Sequence, residues 1–356
     1  MAIEDEFEQI LRTVENDKTE KIKVAFFGQP GAGKSSLMNG IVGRPVAQTS
    51  QKTDTTQEAQ IIEHNDLLLV DLPGYGTSKF PRNEYFQDFR PEQYELFLCI
   101  FSGKFNKNDT DFFRKLKEAG RICLFVRTKA DEIWDDGKSD QESRQDIKID
   151  VKKQVNDETV QVYFTSCKNH NEGIAKLIDA IGENITPAKY DKFYCSVATL
   201  CDKHLEIKKD VCKRLTTQYA ALAATNALNP IPVADVSIDI AIILKLFSKI
   251  RDCFGLDDEE IKKMTPLLPL PLINNILTYA TKEGLMVLLK KYSTKAVAKE
   301  FAKYIPFVGP VIAGSIGFAI TKLAGNEYLD NCYKVAELIL KQKTDEDRSN
   351  RQGKAC

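Results

Sequence analysis

Ile3, Phe7, Ile10, Leu11 and Val14 recur at helical spacing with charged residues between them, which predicts an amphipathic helix that needs a surface to pack on. From Lys21 to Thr186 the pattern changes to short apolar runs: Val24 to Phe27, Leu67 to Val70, Leu96 to Phe101, Ile122 to Val126 and Val160 to Phe164. Runs apolar on both faces and separated by helix-length stretches predict parallel strands covered from each side, hence an α/β domain with a doubly wound, mostly parallel sheet. One connecting helix is well punctuated. Asn108 can cap it, Asp109 and Asp111 favour its N-terminal dipole, and Gly120 ends it.

After Pro187 the strand signals fade. From Asp191 to Gln342 the sequence predicts helices broken at Asn229-Pro230, Gly255, Pro266 to Pro271, Gly284 and Ile305 to Pro310, an all-α domain. Within it, Leu215 to Ala234, Thr265 to Thr281 and Ile305 to Thr321 carry no charge. The polar end of the chain has little to bury and is expected to be disordered. The expected organisation is a leading helix in 1–20, an α/β domain over 21–187, a helical domain over 188–342 and a tail over 343–356.

The 356 residues, 43% of them apolar, suffice for two cores. Lys plus Arg number 50 against 51 Asp plus Glu, so no basic excess holds a phosphate polymer and no nucleic-acid partner is expected. Nine cysteines without a C-x-x-C pair, and three histidines adjoining no such pair, indicate neither a zinc site nor a disulfide framework. The acidic start Met1 to Glu6 lacks the basic then apolar pattern of a signal peptide, so a reducing, cytoplasmic setting is expected.

The strongest chemical signal follows the first strand. Gly28-Gln29-Pro30-Gly31-Ala32-Gly33-Lys34-Ser35-Ser36 is a G-x-x-x-x-G-K-S run between strand and helix, as a phosphate-binding loop requires. Its glycines let backbone N–H groups turn around a β-phosphate, so Gly28, Gly31, Ala32, Gly33 and Ser36 are candidate phosphate contacts. Lys34 would bridge β- and γ-oxygens, and the Ser35 hydroxyl would ligate Mg²⁺. Asp71-Leu72-Pro73-Gly74 ends a later strand; Asp71 would hold Mg²⁺ through water, and the Gly74 N–H would meet the γ-phosphate. D-x-x-G alone is a common turn. Thr128-Lys129-Ala130-Asp131 places a carboxylate that can accept both N1–H and the 2-amino group of guanine, a donor pair adenine lacks, with the Lys129 stem along the ring. Ser166-Cys167-Lys168 occupies the place of a base-contacting loop whose backbone would reach guanine O6. In Thr53 to Gln57 a switch threonine should ligate Mg²⁺; Thr56 is preferred, with Thr53 and Thr55 open. Lys34, Thr56 and Gly74 would act on the transferred phosphoryl group.

With these elements in order, the domain resembles the TRAFAC-class P-loop GTPases and, more narrowly, the immunity-related (interferon-inducible) GTPase family. The narrower likeness lies in Asp71 to Gly76 running on to Phe80-Pro81, in Tyr94 to Phe97, in Phe105 to Asp109 and in Phe125 to Asp131. The resemblance implies GTP or GDP as ligand with Mg²⁺, and a leading helix packed on the helical domain. It also implies homodimers or oligomers formed through G domains, and peripheral attachment to intracellular membrane lipid. Asn229 to Asp235 and Ile305 to Ile312 resemble an uncharacterised helical domain of some bacterial and invertebrate relatives. Tyr75 stands where Ras-like enzymes place the glutamine that orients water, so a monomer should be slow. Arg127 and Lys104 are candidate cations acting in trans, a solvated surface role being the plainer reading of each. Prolines and glycines interrupt Ile305 to Thr321, which favours a buried hairpin over a membrane span. The competing functions are a translation- or RNA-associated GTPase, opposed by the missing basic domain, a nucleotide-gated scaffold with negligible turnover, opposed by Lys34 and Ser35, and an ATPase, opposed by Asp131.

Overall fold

The computed structural model describes residues 21–47, 60–75, 81, 84–104, 107–168, 172–226, 235–292 and 316–352. They form two compact units that divide between Leu200 and Cys201. The leading helix at 3–14, the segment Thr53 to Gln57 with Thr56, and residues 305–315 lie outside the described residues.

The first unit is built on six strands: β1 Ile22–Gly28, β2 Gln60–His64, β3 Leu67–Asp71, β4 Leu96–Phe101, β5 Cys123–Arg127 and β6 Val162–Phe164. Their order is β2-β3-β1-β4-β5-β6, with β2 antiparallel to β3 and every other pairing parallel. Central β4 is buried at every position, as continuous apolar runs demand. Five of the strands match expectation to within two or three residues at each end. Edge strand β2 does not appear in the hydrophobic pattern, because Gln60, Glu63 and His64 are polar and Ile61 is 64% exposed.

Six helices cover the sheet: α1 Lys34–Val42, α2 Tyr85–Phe89, α3 Lys107–Glu118, α4 Asp140–Val155, α5 Ile174–Glu183 and α6 Tyr190–Ser196. Alternation along β1 sends Ala25 and Phe27 into a cluster with Tyr75, Tyr85, Phe112 and Val151, on the face covered by α2, α3 and α4. Helices α1, α5 and α6 pack together on the other face. Gly120 sits at φ +65, and the bonds Gly120 N–H to Lys117 O and Arg121 N–H to Leu116 O close α3 where the sequence expects it to stop. The unit runs past residue 187 because Phe193 and Tyr194 of α6 are buried in it and Ala198 N–H donates to Ile41 O at 2.8 Å.

The second unit is helical: α7 Asp202–Asn226, α8 Asp235–Phe254, α9 Asp258–Met264, α10 Leu270–Tyr279, α11 Lys282–Tyr292 and α12 Ile316–Gln352. Helix α12 lies along α7, and α8 packs on both. Gly325 permits the approach, since a Cβ there would sit 2.6 Å from Thr216 Cγ2. Phe247 and Tyr328 stack at 3.9 Å, and the Tyr328 hydroxyl donates to Ile276 O at 3.1 Å. Ala220, Ala224 and Phe318 form one buried cluster, so parts of two uncharged stretches meet in the core. Among the described residues no helix is long and apolar enough to cross a membrane. Where disorder is expected over 343–356, α12 continues through Gln352, and residues 353–356 lie outside the described residues. Lys343 to Gln352 contains no glycine or proline, and extending a formed helix needs no new nucleus.

Candidate functional site

Strand β1 ends at Gly28 with φ +149, and a Cβ there would fall 1.9 Å from Ile100 O, so only glycine lets the loop leave the sheet against β4. Gly31 and Gly33 take the left-handed region at φ +78 and +87, and Ala32 N–H donates to Gln29 O at 3.1 Å. Helix α1 then begins with no side-chain cap. Its first N–H groups, those of Lys34, Ser35 and Ser36, precede the first helical bond from Leu37 to Gly33 O, which leaves donors and the positive dipole end at the loop.

Lys34 is buried. Its Nζ donates to Gly28 O at 2.9 Å and to Gln29 O at 3.4 Å, and stands 3.7 Å from Asp71 Oδ1. Asp71 ends β3, level with Phe26 of β1. Burial pushes its carboxyl above the usual range, and the Lys34 ammonium opposes that rise. Asp71 Oδ1 is buried and accepts no hydrogen bond. A buried carboxylate oxygen with spare acceptor capacity, 3.7 Å from the Lys34 ammonium of a loop whose next residue is the partly buried Ser35, fits a hydrated divalent cation. Among the described residues no cluster of three or more His, Cys, Asp or Glu side chains could hold a metal, so most ligands of a cation here would come from phosphate and water.

The turn after Asp71 is tied down on both sides. Leu72 N–H donates to Phe26 O at 2.8 Å, and the buried Tyr85 hydroxyl donates to Pro73 O at 2.6 Å. Gly74 is exposed. Tyr75 is only 7% exposed, its ring 5.2 Å from Tyr85 and 5.1 Å from Phe112. It is an aromatic core residue, and its side chain does not replace a water-orienting glutamine. The sequence did not reveal the contact from Gln29 Nε2 to Asp109 Oδ1, 3.1 Å, which joins the loop to the first turn of α3. Asp109 read there only as a helix-dipole partner.

On the other side of the loop, Thr128 is 4% exposed and its hydroxyl lies between Ala32 O and Phe101 O. It braces the phosphate loop from the end of β5, while Lys129 beside it is exposed at φ +52. Arg127 is buried and donates to Thr128 O, with burial lowering its pKa, so it is occupied within its own loop rather than solvated. Lys104 is exposed. Asp131 is partly exposed, and Ser166 Oγ donates to its Oδ1 at 2.5 Å. Lys168 N–H reaches Ser166 Oγ at 3.2 Å, and the side chains of Cys167 and Lys168 are exposed. Apart from Thr56, the expected residues therefore gather at the C-terminal ends of β1, β3, β5 and β6, the side of an open α/β sheet where ligands bind.

A phosphate loop leaving the first strand of a mostly parallel sheet, a buried carboxylate facing its lysine and a base-side loop after β5 define a P-loop GTPase domain, here followed by an all-α unit. The family model for interferon-inducible GTPases (IIGP) matches residues 2–274, and the chain belongs to that family. The match runs past Cys201 into the helical unit. Interferon-gamma-inducible GTPase 10 of Mus musculus is 25% identical over 340 residues, covering 90% of this chain and 81% of its own. Interferon-inducible GTPase 5 of Rattus norvegicus is 25% identical over 364 residues, covering 92% and 77%. The solved structure of Toc33 from Arabidopsis thaliana with GDP and Mg²⁺ is 14% identical, covers 51% of this chain and 91% of its own, and gives a TM-score of 0.36. The protein is a GTPase, binding GTP and hydrolysing it.

Proposed function

We propose that this protein turns over GTP slowly alone and faster when two G domains pair, and that it works at an intracellular membrane surface. The burial of Tyr75 carries this reading: with that side chain packed on Tyr85 and Phe112, the described part of the turn after Asp71, Leu72 to Tyr75, offers no side chain to orient the attacking water. A second copy would then supply what is missing, and a supplied group can be worth about 10³ to 10⁵ in rate.

In this reading Lys34 leaves the carbonyls of Gly28 and Gln29 for the β- and γ-oxygens. The N–H groups of Gly31, Gly33, Ser35 and Ser36 surround the β-phosphate, the Ala32 N–H joins them by leaving Gln29 O, and the Gly74 N–H meets the γ-phosphate. Ser35 and Thr56 would hold Mg²⁺, and Asp71 would hold it through water; when bound, the cation would supply charge neutralisation between the phosphates. Asp131, steadied by Ser166, accepts the two guanine donors, while Lys129 lies along the ring and the Cys167-Lys168 backbone faces O6.

Membrane attachment would rest on the uncharged stretch Ile305 to Thr321, of which Phe318 is buried with Ala220 and Ala224. Light scattering with GDP and with a non-hydrolysable GTP analogue, with and without liposomes, tests assembly and attachment together. Larger particles with the analogue, and a specific activity that rises with protein concentration, are expected. A monomer in both nucleotide states with flat specific activity would overturn the assembly reading, and no liposome binding in either state would overturn the membrane reading.

A further inference from the structure

Asp131 is steadied by a run of contacts that starts at Ser166 and continues beyond both sequence motifs. Ser166, which donates to Asp131 Oδ1, is 1% exposed and forms an isolated antiparallel bridge with Glu172. Its N–H donates to Glu172 O at 3.0 Å. The Glu172 carboxylate in turn accepts from Arg144 at 2.9 Å. Arg144 sits on α4, where its Nε also donates to Asp140 at 3.0 Å and its guanidinium lies 5.3 Å from the centre of the Phe164 ring. Phe164 ends β6, and Gly173 passes so near that a Cβ there would fall 1.9 Å from Phe164 O. One guanidinium therefore holds two carboxylates and an aromatic face at once, in the fixed geometry of its planar fork, where an ammonium would hold them as a freely turning point charge.

We propose that Arg144 is a positioning residue for base recognition: through Glu172 and Ser166 it fixes the direction of the Asp131 carboxylate and so sets the preference for guanine over a purine lacking the 2-amino group. The proposal rests on Asp131 being the base acceptor. Two parallel bonds to one carboxylate demand a fixed plane, and a small rotation sacrifices one of them. Loosening the loop should therefore act on the base that carries both donors, leaving the phosphate contacts as they were.

The test measures GDP and IDP affinities of the full chain by calorimetry, for the parent, Arg144→Ala, Arg144→Lys and Glu172→Gln, with Lys138→Ala as a surface control. The parent should prefer GDP. Arg144→Ala should lose about tenfold in GDP affinity, the size of one charge-assisted bond, while IDP affinity changes less than about twofold. Arg144→Lys should recover only part of the preference, and Glu172→Gln should lower it in the same direction. Should Arg144→Ala not fold, Glu172→Gln reads the same ratio. An unchanged GDP-to-IDP ratio in the folded variants, or equal loss for both ligands, would overturn the proposal. A parent that binds GDP and IDP equally would instead overturn the Asp131 reading beneath it.

Discussion

Replacing Thr128 by valine removes one hydroxyl while keeping the branched shape. The residue is 4% exposed, and its hydroxyl lies between Ala32 O and Phe101 O. Phe101 O also receives the Thr128 backbone N–H at 3.0 Å and stays satisfied after the change. Ala32 O, in a residue 2% exposed, loses its side-chain donor. A buried acceptor left without its donor costs about 1–3 kcal/mol, and a single neutral carbonyl belongs in the lower half, about 1–2 kcal/mol. For a unit of this size that lowers the thermal midpoint by about 2–8 °C. Because Ala32 belongs to the phosphate loop, GDP affinity should fall several-fold as well. Circular dichroism melts with and without GDP, together with calorimetric titration, measure both effects. A Thr128→Val protein with the parent's midpoint and the parent's GDP affinity would refute the view that this hydroxyl braces the loop.

Lys34→Ala should weaken GTP binding and bring single-turnover hydrolysis below detection, since the variant loses the cation that faces Asp71 at 3.7 Å and would face the phosphates; a parent-like single-turnover rate would contradict its role. Hydrogen bonds from Lys117, then from the Thr159 hydroxyl and N–H, hold the Asp157 carboxyl down at about 2, below its ordinary 3.8. A depressed folded-state pKa gives stability that is present above the ordinary value and lost as pH falls through the folded one. Asp157→Asn should therefore melt below the parent at neutral pH, with the gap narrowing from 3.8 down to about 2, and a gap independent of pH would contradict that cause.

The phosphate loop was legible because its chemistry is local: three glycines at fixed offsets, a lysine and a serine follow one apolar run. Strand β3 and the carboxylate at its end were legible for the same reason. Strand β2 was not, since an edge strand with polar side chains has no hydrophobic period to display. The contacts from Thr128 to Ala32, Gln29 to Asp109 and Arg144 to Glu172 span 96, 80 and 28 residues. They exist only once the sheet brings its strand ends together, so no spacing rule announces them. Tyr75 was conspicuous as a departure from a motif, but its burial among aromatic rings follows from α2 and α3 folding over it. The end of α12 departs from the expectation because charge alone signals disorder, whereas a helix already anchored at Phe247 and Thr216 by Tyr328 and Gly325 continues outward through residues that include no glycine or proline to stop it.

The central claim is that this site selects guanine through Asp131 and hydrolyses its triphosphate. The most direct test compares GTP, XTP and ATP in single-turnover hydrolysis by the parent and by Asp131→Asn, because xanthine carries an oxygen where guanine carries the amino group. The account predicts a parent that turns over GTP and neither of the others, and an Asp131→Asn protein whose preference moves to XTP. An Asp131→Asn protein that still prefers GTP, or a parent that hydrolyses ATP as readily as GTP, would contradict it.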